Sequence, residues 1–422
     1  MQVKGTLYLP GDKSISHRAI MLSSIADGKS TIRNLNDGAD LQSTINALKA
    51  CGAKIDSRNQ TITIEGVDLT NPNEKLDCGN SGTTTRLISG LLSSQKLDFT
   101  LVGDSSLSSR PMKRIITPLQ KMGCDISSND NLLPLTINAK EGIRSIDYKI
   151  PVASAQVKSC ILLAALGGDN PSTIHENILT RNHTEVMLKN MGATISFIDK
   201  SINIHPLENK LNPINITIPS DPSSAAFFAA MAVINDNSEL TLNNVLLNKT
   251  RIGFIDILKK MNCNLAVGNK QLNNGEKTGD ITFSTSDLTS VEVESEIIPS
   301  IIDEIPILSV VAAYSNGITI FRNVEELKYK ECDRLHAIIH NLNAFGINAY
   351  EKDNSLFVEG GKPDKLAEIT TFHDHRIAMA FTILSLTSFG KYHLDNKDCI
   401  DISLPNFFNL IEDSLKRCWK LS

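Results

Sequence analysis

Six stretches of the chain open on a polar cluster and continue in small and aliphatic residues with no polar face. They begin GDKSISHRAIMLSSIA at Gly11, NSGTTTRLISGLL at Asn80, SAQVKSCILLAAL at Ser154, DPSSAAFFAAMAVI at Asp221, DEIPILSVVAAY at Asp303 and DHRIAMAFTILSL at Asp374, about 70 residues apart. Such a run, headed by a residue able to cap a helix, predicts a helix buried on every side. Downstream of the first five comes an amphipathic segment closing in a related signature: ALKACGA, LQKMGCD, LKNMGAT, LKKMNCN and LNAFGIN. Gly at the stop supplies a left-handed cap, and Asn262 takes its place once. Short alternating runs such as KSTIRNL, TITIEGV and NGITIFRN predict strands.

The pattern therefore predicts a strand-helix-strand-helix module, repeated, with a sixth copy that departs and ends in LIEDSLK. Six modules divide into two sets of three, each building one compact α/β domain: residues 12–219, and residues 1–11 plus 220–422. Two short crossings between domains would suit closure on a ligand held in an interdomain cleft.

Composition narrows the function. The 422 residues carry 42 Lys+Arg against 47 Asp+Glu, with 5% aromatics and no long basic block, which argues against a nucleic-acid surface. Long apolar runs and a signal peptide are absent, so a cytoplasmic chain with no membrane association is expected. The eight cysteines are scattered singly, without zinc spacing, and read as free, mostly buried thiols.

The unusual residues collect at the module openings: Lys13, Ser14 and Arg18; Asn80, Ser81, Gly82, Thr83 and Arg86; Ser154, Gln156 and Lys158; Asp303 and Glu304; Asp374, His375 and Arg376. At helix N-termini, free backbone N–H groups attract anions, and hydroxyls, Arg and Lys complete the contacts. A polyanionic ligand is expected. Two further segments concentrate charge, Gly103 to Arg114 and Lys328 to His336. In the second, helical spacing would set Lys330 and Arg334 on one side of a turn beside Glu331, a carboxyl acid/base next to two cations. An exposed, charged helix start is the plainer reading of the same residues. ADGKST lacks the first glycine of a P-loop, since Ser23 stands there, and the histidine pairs 336/340 and 373/375 lack a third convergent ligand.

Taken in order, LPGDKSISHR, CGNSGTTTRL, SSRPMKR, SAQVK, RNHTE, NKTR, DEIPIL, YKECDRL and DHRIAMAF resemble the 5-enolpyruvylshikimate-3-phosphate (EPSP) synthase family from end to end. SAQVK, RNHTE and NKTR look like the variant motifs of its glyphosate-tolerant, class II members. The resemblance implies two inside-out α/β barrel-like domains of three modules each. It also implies transfer of the enolpyruvyl group of phosphoenolpyruvate to the 5-hydroxyl of shikimate-3-phosphate by addition and elimination of phosphate, without metal or cofactor. A monomer is expected.

Carried over by position, Lys13 resembles the lysine touching both substrates, and Ser14 and Arg18 those holding shikimate. Ser154 and Gln156 match the shikimate-phosphate site, Gln156 also reaching phosphoenolpyruvate, while Gly82, Arg110, Arg334 and Arg376 fall on phosphoenolpyruvate positions. Asp303 and Lys330 match residues around the reacting hydroxyl; Asp303 is the candidate base and Glu331 the candidate for proton exchange at the methylene. Two departures stand out. Ala155 replaces a phosphate-binding serine, a loss that Lys158 is placed to make good, and Ile402 replaces a donor-binding lysine.

The nearest alternative is the sister enzyme acting on UDP-N-acetylglucosamine, whose loop cysteine is replaced here by Ser105. A non-catalytic sensor of a phosphorylated metabolite is the other, disfavoured by the intact Asp303, Lys330 and Glu331.

Overall fold

The computed structural model describes residues 1–58 and 61–416. All six openings form buried helices: Lys13–Ser23, Gly82–Ser94, Ala155–Ala165, Pro222–Ile234, Ile305–Ala313 and His375–Phe389. Asp12, Ser81, Ser154, Asp221 and Asp374 cap five of them, each side chain accepting from a backbone N–H of the first turn. The helix Ile305–Ala313 has Glu304 at its N-cap without such a bond.

Each of the first four modules is richer than the sequence pattern predicts. The buried helix leads to a strand, an amphipathic helix, an antiparallel hairpin and a last strand, which in the first module are Lys29–Arg33, Ala39–Ala50, Lys54–Arg58 with Thr61–Glu65, and Leu76–Asp77. That last strand pairs in parallel with the first strand of another module, here Asp98–Val102. The second and fifth hairpins are hard to see in sequence because their arms are short and Asp130-Asn131 and Asp353-Asn354 turn them, with φ between 50 and 61°, whereas Asn274-Gly275 turns the fourth.

The chain forms two compact units, Gly11–Ile218 with Asn273–Gly275, and Met1–Pro10 with Pro219–Leu272 and the chain from Glu276 onward. In the first, three four-stranded mixed sheets enclose three buried helices, and the exchanged strands close a ring: Leu76–Asp77 joins the second sheet, Asp147–Lys149 the third, and Asn215–Thr217 returns to the first. Helices Gly82–Ser94 and Ala155–Ala165 approach so closely at Gly90 that a Cβ there would lie 2.1 Å from the Cys160 carbonyl oxygen.

In the second unit the strand Lys4–Leu7 completes the sheet of Glu239–Leu246, and Glu292–Val293 joins Ile318–Phe321. The sixth module keeps only an isolated parallel bridge, Ile369 to Leu394, before the helix Phe407–Lys416. Phe407 packs against Phe227 and Phe228 inside this unit.

The amphipathic helices end as expected. Gly52, Gly123, Gly192 and Gly346 take φ between 87 and 100°, and Asn262 takes 65°. Seven cysteines are free, five of them buried; Cys418 lies outside the described residues. Burial pushes the Cys78 thiol up to about 11 and that of Cys51 up to about 12.

Candidate active site

The residues singled out from sequence fall into two sets, one in each unit. In the first unit three helix N-termini carry them. Lys13 begins its helix and reaches Asp40 Oδ2 at 3.0 Å. Ser14 is next along the helix, and Arg18, one turn on, is buried: Nη1 donates to the Ser14 carbonyl (2.9 Å), Nε to Thr184 Oγ1 (2.6 Å) and Nη2 to Ser159 Oγ (2.8 Å). Beneath Lys13, fully buried His17 places Nδ1 2.7 Å from Thr44 Oγ1, which lies 2.7 Å from Thr84 Oγ1 in the first turn of the second buried helix. Burial, then the Lys13 and Arg18 charges, hold the His17 pKa well below its ordinary 6.5, against a smaller pull from Asp12.

Gly82 opens that second helix. A Cβ here would stand 2.6 Å from Arg86 Nη1 and 3.6 Å from Arg110 Nη1, so two guanidinium groups converge on a helix N-terminus left bare of side chain. Arg110 Nη2 is steered by Asn80 Oδ1 (2.6 Å) and Ser106 Oγ (3.1 Å). Gln156 joins the cluster from the third helix, accepting from Arg86 Nη1 (2.8 Å) and donating to Thr83 Oγ1 (2.9 Å), which fixes its amide orientation. Ser154 caps that helix.

Lys158 does not take over the role of the missing serine at Ala155. Its ammonium is buried between Glu176 (2.9 Å) and Glu185 (2.7 Å), below the helix end, with a side chain only 1% exposed.

In the second unit one buried guanidinium organises three carboxylates. Arg334 donates through Nε to Asp374 Oδ2 (2.7 Å), through Nη1 to Asp303 Oδ1 (3.2 Å) and through Nη2 to Glu331 Oε2 (2.6 Å). Burial opposes its charge, but Asp374, Glu331 and Asp303 outweigh that and raise its pKa above the ordinary arginine value. Arg376, at the start of its helix, donates to the Asp303 carbonyl (3.1 Å) and lies 3.8 Å from Asp303 Oδ1.

The expected helical turn through Lys330 and Arg334 is absent. Lys330 is extended at the end of the 3-10 turn Glu325–Tyr329, and the helix Arg334–Ala344 begins only after its cap Asp333. Glu331 still reaches Arg334, from a connector rather than along a helix face. Ile402 closes a 3-10 turn, Asp398–Ile402.

Several residues of this arrangement have no role that sequence reasoning assigns. Arg86 and Asp374 lie in the module openings, but their partners are not legible there. Asp40 gives no local signal, and Thr184 and Arg251 lie in the RNHTE and NKTR motifs without showing their partners there, because each acts on a distant segment; Arg251, buried, bonds Asp221 Oδ1 (3.1 Å) and Ser223 Oγ (2.9 Å), and Ser223 bonds Glu304. Chemically, the first unit offers cations and hydroxyls at helix ends for a polyanion, and the second offers carboxylates held by arginines.

The family model for EPSP synthase (3-phosphoshikimate 1-carboxyvinyltransferase) matches residues 1–411. The 3-phosphoshikimate 1-carboxyvinyltransferase of Oceanobacillus iheyensis is 45% identical over 417 residues, covering 98% of this chain and 97% of its own. That of Caldicellulosiruptor saccharolyticus is 43% identical over 417 residues, covering 97% and 96%. Among solved structures, EPSP synthase from Acinetobacter baumannii superposes with a TM-score of 0.87 at 37% identity, covering 98% of this chain and 96% of that one. The enolpyruvyl transferase NikO from Streptomyces tendae, at 17% identity and a TM-score of 0.79 over 98% and 95%, shares the fold.

Proposed function

We propose roles for the residues of a chain that belongs to the EPSP synthase family, the 3-phosphoshikimate 1-carboxyvinyltransferases, and transfers the enolpyruvyl group of phosphoenolpyruvate to shikimate-3-phosphate. Both sets of residues serve this one reaction. Lys13, Ser14, Arg18, Ser154 and Gln156 receive shikimate-3-phosphate, with Asp303 and Lys330 around its 5-hydroxyl. Gly82, Arg110, Arg334 and Arg376 receive phosphoenolpyruvate together with Lys13 and Gln156.

The chemistry needs a proton taken from the 5-hydroxyl and one delivered to the methylene carbon. As the methylene is protonated, positive charge develops at the enol carbon, and the acceptor oxygen attacks there to give a tetrahedral ketal. Loss of phosphate and of the methyl proton then regenerates the double bond. Asp303 takes the hydroxyl proton, Glu331 handles the proton at the methylene, and Lys13 and Lys330 stabilise the charges beside them.

The observation that carries this reading is the single guanidinium of Arg334 spanning Asp303 and Glu331. Two carboxylates on either side of one cation suited to the donor's carboxylate or phosphate support assigning the base to Asp303 and the acid to Glu331. The chain acts as a monomer of 46.1 kDa in the cytoplasm; the free thiols among the described residues support the compartment. Light scattering on the purified protein checks the mass.

The decisive assay is phosphate release from phosphoenolpyruvate with shikimate-3-phosphate or UDP-N-acetylglucosamine as acceptor. Turnover is expected with the first; turnover confined to the second would overturn the substrate assignment. The class II motifs predict activity in the presence of glyphosate, read in the same assay.

A further inference from the structure

Lys158 sits where a charge is costly, yet it is surrounded by more negative charge than it needs. Its ammonium meets Glu176 Oε2 at 2.9 Å and Glu185 Oε1 at 2.7 Å and donates to the Thr180 carbonyl at 3.3 Å. Glu176 is well supplied with donors, its Oε1 also taking the Thr180 amide (3.1 Å) and hydroxyl (2.5 Å). Glu185 Oε2, buried, has no hydrogen-bond partner. Well-packed apolar side chains can often replace a buried ionic cluster without loss of stability, so stability alone does not account for this one, which also holds its two helices in a single geometry.

That geometry is passed to the adjacent residues. Lys158 and Ser159 are consecutive on helix Ala155–Ala165, as Thr184 and Glu185 are on helix His183–Asn190. The Ser159 and Thr184 hydroxyls lie 2.7 Å apart, and both accept from the Arg18 guanidinium. Two rotatable hydroxyls cannot fix the separation of their helices. The ion pair beside them can, and the same helix carries Ser154 and Gln156 at its start.

We propose that Lys158 and Glu185 form a positioning latch for the acceptor half of the site, acting through Arg18 and Ser154 and touching no substrate. The inference rests on the assignment of Arg18 and Ser154 to shikimate-3-phosphate.

A latch of this kind makes a selective prediction. Glu185→Gln leaves Lys158 with one balanced partner, Glu176, and should raise KM for shikimate-3-phosphate roughly tenfold while kcat and the KM for phosphoenolpyruvate stay within about threefold. In an Arg18→Ala background the same substitution should add less than it does alone, because one of its two routes to the substrate is gone. The uncharged triple variant Lys158→Met, Glu176→Gln, Glu185→Leu is the second test, expected to fold and to show the same acceptor-selective rise. A folded Glu185→Gln protein with an unchanged acceptor KM, or with both KM values raised alike, refutes the latch. Arg18→Ala and Ser154→Ala measured alongside separate the two levels. If neither moves the acceptor KM, the half-site assignment falls and the latch with it; if they do and Glu185→Gln does not, the latch alone falls.

Discussion

Asp303 is held by two arginines, 3.2 Å from Arg334 and 3.8 Å from Arg376, so it is fixed in place. Asp303→Ala should lower kcat roughly 10²- to 10⁴-fold with a much smaller effect on the donor KM; an unchanged rate of phosphate release would remove its proposed role. His17 makes a prediction of opposite character, about stability. Its folded pKa is depressed, so above 6.5 it is neutral in both folded and unfolded chains and carries no penalty. Below that the unfolded chain binds a proton the folded one refuses, and stability should fall by about 1.4 kcal/mol per pH unit until the folded pKa is reached. Urea unfolding between about pH 6.5 and pH 5.5 should show a loss of about 1 kcal/mol as that slope develops, and His17→Asn should flatten it. A variant with the parent's slope would assign the effect to other groups. At this scale the sequence displays the side chains but not their partners: Lys158 reads as one more cation at a helix end until Glu176, 18 residues on, is seen to bury it.

Helix ends are the most legible elements, because a left-handed cap is a demand on one residue. Gly52 takes φ of 91° with Thr70 Oγ1 3.4 Å from where a Cβ would sit, so Gly52→Ala should destabilise the chain by about 1–2 kcal/mol, seen as a lower urea midpoint. No change in midpoint would mean the cap relaxes into another conformation. The buried helices are legible for a similar reason, since a run with no polar face has no other stable place. Hairpins and connectors are not. Asp353-Asn354 between two alternating runs is a weaker turn signal than Asn274-Gly275, which turns the fourth hairpin. The segment from Lys330 to Asp333 looks helical from the spacing of its charges alone, but it has no apolar stripe to seat a helix, and Asp333 caps only the helix beginning at Arg334.

For the whole molecule, the sixfold repetition of openings can be read from the sequence, while the exchange of strands among modules cannot, because parallel pairing over long separations leaves no local trace. The longest exchange brings Lys4–Leu7 to Glu239–Leu246 and buries Val3, Leu7 and Leu9. Deleting residues 1–9 should therefore cost about 5 kcal/mol or more from these side chains alone and bare a strand edge, measured as a lowered calorimetric transition. An unaltered transition would show that the edge is closed in another way. The same exchange has a consequence during synthesis. Val3 donates to Ser238, 235 residues further along, and at translation speeds of about 5–20 residues per second this places roughly 10–50 s between the two segments leaving the ribosome. For that interval the nascent amino end carries three oily side chains with nothing to cover them, making it a natural target for a chaperone holding the growing polypeptide.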